Sequence, residues 1–198
     1  MINYLKNLCF ALGGLIWAIS HSVIAAPPTS IDLQKFTCQQ FINLFLEEIQ
    51  QDDDADIAAS GDMSLEILVW ASGQVIKDDF YSETITFDLI EQSLENCDKK
   101  NSSLLLSTMN STYKSLAIKE YRDRQDITKL TCQNLEKQNG EWTSDSRALL
   151  IWMEGHLSKK PFINLAKQSE MINMVFKKCQ QQPTSILLPM MQEIVKTR

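Results

Sequence analysis

The side chains of this chain that could do chemistry come in one order, written twice. Thr37-Cys38-Gln39, Trp70-Ala71-Ser72-Gly73 and Cys97 are followed by Thr131-Cys132-Gln133, Trp152-Met153-Glu154-Gly155 and Cys179. Thiols at such positions can pair, hold a soft metal or attack a carbonyl. From Trp to the second cysteine the separation is 27 residues in both sets. The register continues ungapped, with Ser102 to Leu106 lying over Thr184 to Leu188 and Met109 over Met191. This describes a duplicated module. Four cysteines allow three connectivities. The repeat selects Cys38–Cys97 and Cys132–Cys179, because each pair then closes an equivalent unit.

With the thiols paired, little catalytic equipment remains. Beyond residue 25 the only histidine is His156, on the helix that carries Trp152 and Gly155. A lone helical histidine reads as a surface or packing residue before a ligand or base. Zinc sites and Cys–His nucleophilic catalysis are excluded, and six glycines supply no phosphate-cradling loop. The many carboxylates fall on solvated helix faces or in one acidic stretch. The chain is expected to be no enzyme and to carry no cofactor or metal.

The elements that must position these residues read as helices, so the fold class is all-α. Phe36 to Gln50 places Phe41, Leu44, Phe45 and Ile49 at helical spacing. Ser64 is the expected cap of a helix to about Lys77, with Leu65, Leu68, Val69, Ser72 and Ile76 on one side. Thr86 is expected to cap the next, where Leu89, Ile90 and Leu94 lead to Cys97. Ser102 or Ser103 starts another, through Met109 and Tyr113 towards Tyr121. In the second set a short helix follows Leu130, Ser144 caps the Trp152 helix, and Ser169 caps Met171, Met174 and Phe176 before Cys179. Pro183 sits at or near the first turn of the last helix. Glu83 to Phe87 alternates as a strand would, but is short and lacks a partner.

The two copies differ between the first cysteine and Trp, 32 residues apart in one and 20 in the other. The excess falls around residues 51–62, where Asp52, Asp53, Asp54 and Asp56 make an exposed acidic loop. Calcium is the sharper reading of that cluster, yet the ligand spacing and terminal glutamate of an EF-hand are missing. Residues 26–116 hold 16 acidic and 5 basic side chains, and residues 117–198 hold 9 and 13. The copies therefore carry −11 and +4 at neutral pH, a balance that argues against a nucleic-acid surface.

Residues 1–25 stand apart from this plan. Lys6 is their one charged side chain, Leu8 to Ile19 is apolar, and Val23-Ile24-Ala25 is a small-residue cleavage site. That is the pattern of a secretory signal peptide, cut after Ala25. The alternative, an uncleaved anchor, has an apolar core of about a dozen residues, short of the roughly 20 a span needs. No later stretch is long and apolar enough to cross a membrane. The sequons at Asn101 and Asn110 matter only in a glycosylating host.

Trp70 and Trp152 read first as module cores beside the disulfides, with Gly73 and Gly155 allowing close helix approach, and second as ligand-stacking residues. Met171, Met174, Met190 and Met191 read as core before adaptable surface.

A secreted helical module bounded by Thr-Cys-Gln and a second cysteine, with Trp-x-x-Gly between, resembles the HdeA/HdeB family. The opening Thr37-Cys38-Gln39-Gln40-Phe41-Ile42-Asn43-Leu44 is similar to the start of an HdeB-type domain. The resemblance covers roughly 32–113 and 126–195. It implies a periplasmic acid-stress chaperone that is folded near neutral pH and opens in acid to hold unfolding client proteins. Phe41, Leu68, Trp70, Leu94, Trp152, Met171, Met174 and Phe176 would be its core or client surface. Asp52, Asp53, Asp54 and Asp56 would belong to its pH switch, which must run on carboxylates because one histidine is present. Family members are single modules that dimerise. Two fused copies of opposite charge are expected to pack as an intrachain pseudo-dimer. The alternative is an envelope or secreted protein-binding module that stays folded.

Overall fold

A computed structural model describes residues 30–51, 63–116, 121–138 and 140–196. Residues 1–25, read above as a signal peptide, and Asp52, Asp53, Asp54 and Asp56 lie outside them. The fold is all-α, with three two-stranded sheets of two or three residues per strand. The order is β1 (Ser30–Asp32), α1 (Cys38–Gln51), α2 (Met63–Val75), β2 (Phe80–Tyr81), α3 (Glu83–Lys99) and α4 (Leu105–Ser115). Then come β3 (Gln125–Asp126), a 3₁₀ turn (Cys132–Asn134), β4 (Lys137–Gln138), β5 (Glu141–Trp142), α5 (Ser144–Leu157), β6 (Phe162–Asn164), α6 (Leu165–Gln181) and α7 (Leu187–Lys196). No described helix is long and apolar enough to cross a membrane.

The Thr-Cys-Gln tripeptides start their helices in the same way. The amide of Gln40 donates to Thr37 Oγ1, and Thr37 N–H donates back to Gln40 Oε1 at 2.9 Å. Thr131 and Asn134 form the same capping box, which satisfies amides that a first turn leaves unpaired. Each cysteine then donates its amide to the turn before the last helix of its half, Cys38 to Ser103 O and Cys132 to Ser185 O. Both disulfides are formed, Cys38–Cys97 and Cys132–Cys179, with Cα atoms 5.1 Å apart in each.

Several helix starts differ from the sequence expectation. Ser82, not Thr86, caps α3, accepting from Ile85 N–H, while the Thr86 hydroxyl donates to Ser82 O within the helix. Glu83 to Phe87 is the first turn of that helix. Thr143 caps α5 in place of Ser144. Asn164 caps α6 in place of Ser169, because the buried stripe extends back through a polar residue, Gln168, whose amide donates to Glu154. Helix α2 begins at Met63, so Ser64 is inside it, donating its hydroxyl to Glu48. Leu104 precedes α4, which ends at Ser115, short of Tyr121. Pro183 lies in the turn before α7, and the proline of that helix's first turn is Pro189.

The halves diverge where the cysteine-to-tryptophan lengths diverge. In the first, α1 buries Cys38, Phe41 and Leu44; the side chain of Ile49 is outside the description. In the second, the 3₁₀ turn leads to the β4–β5 hairpin, whose Trp142 stacks on Phe176 of α6 at 4.5 Å. The hairpin turns at Gly140, at φ 89°, a left-handed conformation that glycine adopts without strain.

The core is centred on α2 and α5. Nine of the thirteen residues of α2 are buried, among them Ile67, Leu68, Val69, Trp70 and Ala71. Helix α5 buries Leu149, Leu150, Ile151, Trp152 and Met153 in the same fashion. Helices that are apolar around most of their circumference belong inside. The two lie against each other, with α3 and α4 packed on α2 and with α6 and α7 on α5. Leu65, expected on the buried side of α2, is 41% exposed.

Candidate functional site

The α2–α5 crossing is the place where the two halves meet most closely, and glycine sets its distance. A Cβ on Gly73 would lie 2.1 Å from Trp152 O, and one on Gly155 would lie 2.0 Å from Trp70 O. Each glycine thus receives the backbone carbonyl of the opposite tryptophan. The indoles are fully buried, Trp70 at 1% and Trp152 at 0% exposure. Tyr81 meets Trp152 edge-on at 5.3 Å, and His156 stacks on it at 5.1 Å.

Polar side chains next to the glycines cap the opposite helix. Gln74 Nε2 donates to Gly155 O and to Ser158 O, the latter at 2.7 Å. His156, 82 residues further on, places Nδ1 3.1 Å from Ile76 O. Ile76 and Ser158 are themselves 82 residues apart, and each follows the last residue of its helix. Carbonyls that a helix end leaves unpaired are in this way satisfied across the crossing.

The segments that precede the Thr-Cys-Gln tripeptides are exchanged. Strand β1 pairs with β6 of the second half, Asp32 opposite Phe162, and Leu33 N–H donates to Pro161 O. Strand β3 pairs with β2 of the first half, Asp126 opposite Phe80, and Ile127 N–H donates to Asp79 O. The two pairings use corresponding residues, so each half holds the arm of the other.

Charge is divided across this interface. Glu66 receives Arg147, with Oε1 2.6 Å from Nη2 and 2.8 Å from Nε. Asp78 receives Arg124 at 2.9 Å, and Asp79 lies 3.5 Å from His156 Nε2. In all three pairs the carboxylate comes before residue 117 and the basic group after it. Tyr121 donates to Asp88 at 2.5 Å, and Tyr113 donates to Asp78. Burial and the Asp78 charge push the Tyr113 phenol up to about 12.

Near the start of α3, Asp123 accepts from Ser82 Oγ at 2.7 Å and from Thr84 N–H at 3.0 Å. Burial works against its charge, but these hydrogen bonds outweigh it and hold the carboxyl below its usual range. Glu83 is pushed up by burial and by the charges of Asp145, Asp123 and Glu136. Asp126 is drawn down to about 2 by Lys129 and Thr128.

Of the residues singled out from the sequence, Phe41, Leu68, Trp70, Trp152 and Met171 are buried. Leu94 and Phe176 are partly buried, and Met174 is 44% exposed. Trp70 and Trp152 meet at one crossing; the others are spread through the two outer layers. Among the described residues no group of three His, Cys, Asp or Glu side chains is placed to hold a metal ion. Gln74, Glu66, Asp79 and Arg147 were not legible as a set, although the 82-residue register already placed Gln74 over His156. The chain matches no protein-family model, no curated protein and no solved structure.

Proposed function

We propose that this chain is an acid-activated holdase, a periplasmic protein of the HdeA/HdeB type in which two copies of one module pack as an intrachain pseudo-dimer. The observation that carries the reading is the α2–α5 crossing, an apolar helix pair bordered by ion pairs whose carboxylates all come from one half. At neutral pH the halves attract, at −11 and +4. With every carboxylate protonated they carry +5 and +13 before His156 is counted, and they repel. Separation would uncover Ile67, Trp70, Leu150, Trp152 and Met153, which is surface suited to holding another unfolding chain. Each disulfide limits expansion within its half. For loops of this length the chain-entropy estimate is about 4 kcal/mol per bridge.

The test is light scattering of an aggregation-prone client with the protein present, at pH 2–3 and at pH 7. Suppression in acid alone, with loss of near-UV circular dichroism over the same range, is the expected outcome. No suppression with an unchanged near-UV signal would refute the holdase and leave a module that binds partners while folded. A salt titration at pH 7 tests the pseudo-dimer separately, since ion pairs between the halves weaken as salt screens them. Indifference of the unfolding midpoint to salt would count against charge as the clamp.

A further inference from the structure

The crossing is reciprocal enough that each half has a backbone shape fitted to a copy of itself. Gly73 and Gly155 receive the carbonyls of Trp152 and Trp70, which are corresponding residues, so the two seats are interchangeable. The exchanged arms are interchangeable as well, with Asp32 opposite Phe162 and Asp126 opposite Phe80. Shape alone does not tell partner from self.

Charged side chains at corresponding places do tell them apart. Arg124 stands eight residues before Cys132, and the residue eight before Cys38 is Ser30. The Arg124 guanidinium lies 4.6 Å from the centre of the Phe80 ring and reaches Asp78 at 2.9 Å. The residue 82 places after Asp78 is Lys160, and Phe162, which corresponds to Phe80, is 50% exposed. Between the helices Arg147 holds Glu66 at 2.6 Å. Their counterparts are Leu65 and Ala148, which carry no charge. Each contact thus has a charged version on one side of the crossing and none on the other.

Two second halves in the same arrangement would set Arg124 against Lys160 twice and leave each Arg147 facing Ala148. Two first halves would leave Asp78 facing Ser30 and Glu66 facing Leu65, and would add −11 to −11. We infer that the halves accept each other and reject themselves, and that Arg124 and Arg147 are the side chains that make the distinction. This rests on reading the chain as a pseudo-dimer. The partner that fits each crossing face is the opposite half, from this chain or from a second copy of it. A chain that opens therefore recloses on its opposite half and does not assemble through like halves.

The test places a protease site at residues 117–120 of the full chain and cleaves the folded protein. The product is taken through urea with its disulfides intact and returned to low salt at pH 7. Native mass spectrometry then reads which halves are paired, since their masses differ. Random pairing would make about half of the pairs self-pairs. Exchanging two matched pairs for two self-pairs loses four ion pairs and adds two repulsions. At a factor of about two or more for each, self-pairs fall to about one in ten or fewer. Lys160→Asp gives a pair of second halves two matched contacts with Arg124 and should raise self-pairs at least about threefold. Self-pairs at the random level, or a proportion that Lys160→Asp leaves unchanged, overturn the inference. Halves that part on cleavage refute the pseudo-dimer and the inference with it. Should the cleaved chain fail to refold, urea unfolding of the uncleaved chain decides. There Ser30→Arg should lower the folded-to-unfolded ratio about two- to fivefold at low salt, and adding Lys160→Asp should reverse the loss. Effects of the two substitutions that simply multiply overturn it. Failure of client protection in acid refutes the holdase and leaves the matching of the halves untouched.

Discussion

Replacing Gly73 by alanine tests the whole account of how the halves meet. The new methyl would lie 2.1 Å from Trp152 O, 2.9 Å from His156 N and 3.0 Å from the Trp152 carbonyl carbon. All three are backbone atoms of a buried helix, so no side chain can rotate aside. Restoring ordinary contact requires the helices to part by roughly 1 Å, and such a gap forfeits about a quarter to a half of the dispersion energy of each atom pair across it. Trp70, Ile67, Trp152 and Leu150 are among the buried side chains of this helix pair. The cost therefore belongs at the upper end for overpacking, about 3 kcal/mol. In a chain of this length that lowers the melting temperature by about 6–12 °C. Thermal unfolding at pH 7 followed by circular dichroism reads it directly, and Gly155→Ala should behave alike because its methyl would meet Trp70 O at 2.0 Å. A Gly73→Ala midpoint within about 2 °C of the unaltered chain would refute close helix approach as the reason for the glycine.

Gly140→Ala should cost only about 1 kcal/mol, from the φ of 89° alone, since no atom lies within 4 Å of the added Cβ; a loss as large as that of Gly73→Ala in the same melt would contradict this. Arg147→Ala leaves Glu66, whose side chain is 14% exposed, without its cation and should cost about 1–2 kcal/mol in urea at low salt. The difference should narrow in high salt as the unaltered chain weakens. Asp123 is held below its usual range when folded, so its contribution is present above about pH 4 and is lost as pH falls through the folded value. The gap between the chain and Asp123→Asn should therefore be constant from pH 7 to 5 and close in stronger acid. Glu83 has the opposite sign: its carboxyl is raised, so Glu83→Gln should stabilise at pH 7 and lose that advantage as the native glutamate protonates.

What the sequence alone settled was local, or was repeated. The all-α class followed from apolar spacing of three and four residues, and the disulfide pairing followed from a register that recurs without a gap. A helix from about Phe36 and a short one after Leu130 were legible because a helix start is local, and the capping boxes found at Thr37 and Thr131 span only three residues. Helix beginnings were read less well where the buried stripe included polar residues. Gln168 hid the first turn of α6, and alternation over Glu83 to Phe87 imitated a strand. The equal tripeptides also gave no warning that one leads into α1 and the other into a hairpin.

Tertiary structure alone decided which faces meet. Gly73 against Trp152, Gln74 against Ser158, Glu66 against Arg147 and the exchange of β1 and β3 all join residues 44 to 134 apart in sequence. Such contacts follow from the shape of two assembled surfaces and carry no periodic signature. The composition did foretell their sign, acidic before residue 117 and basic after it. It took the assembly of the two halves to turn that imbalance into particular ion pairs, Glu66 with Arg147 and Asp78 with Arg124.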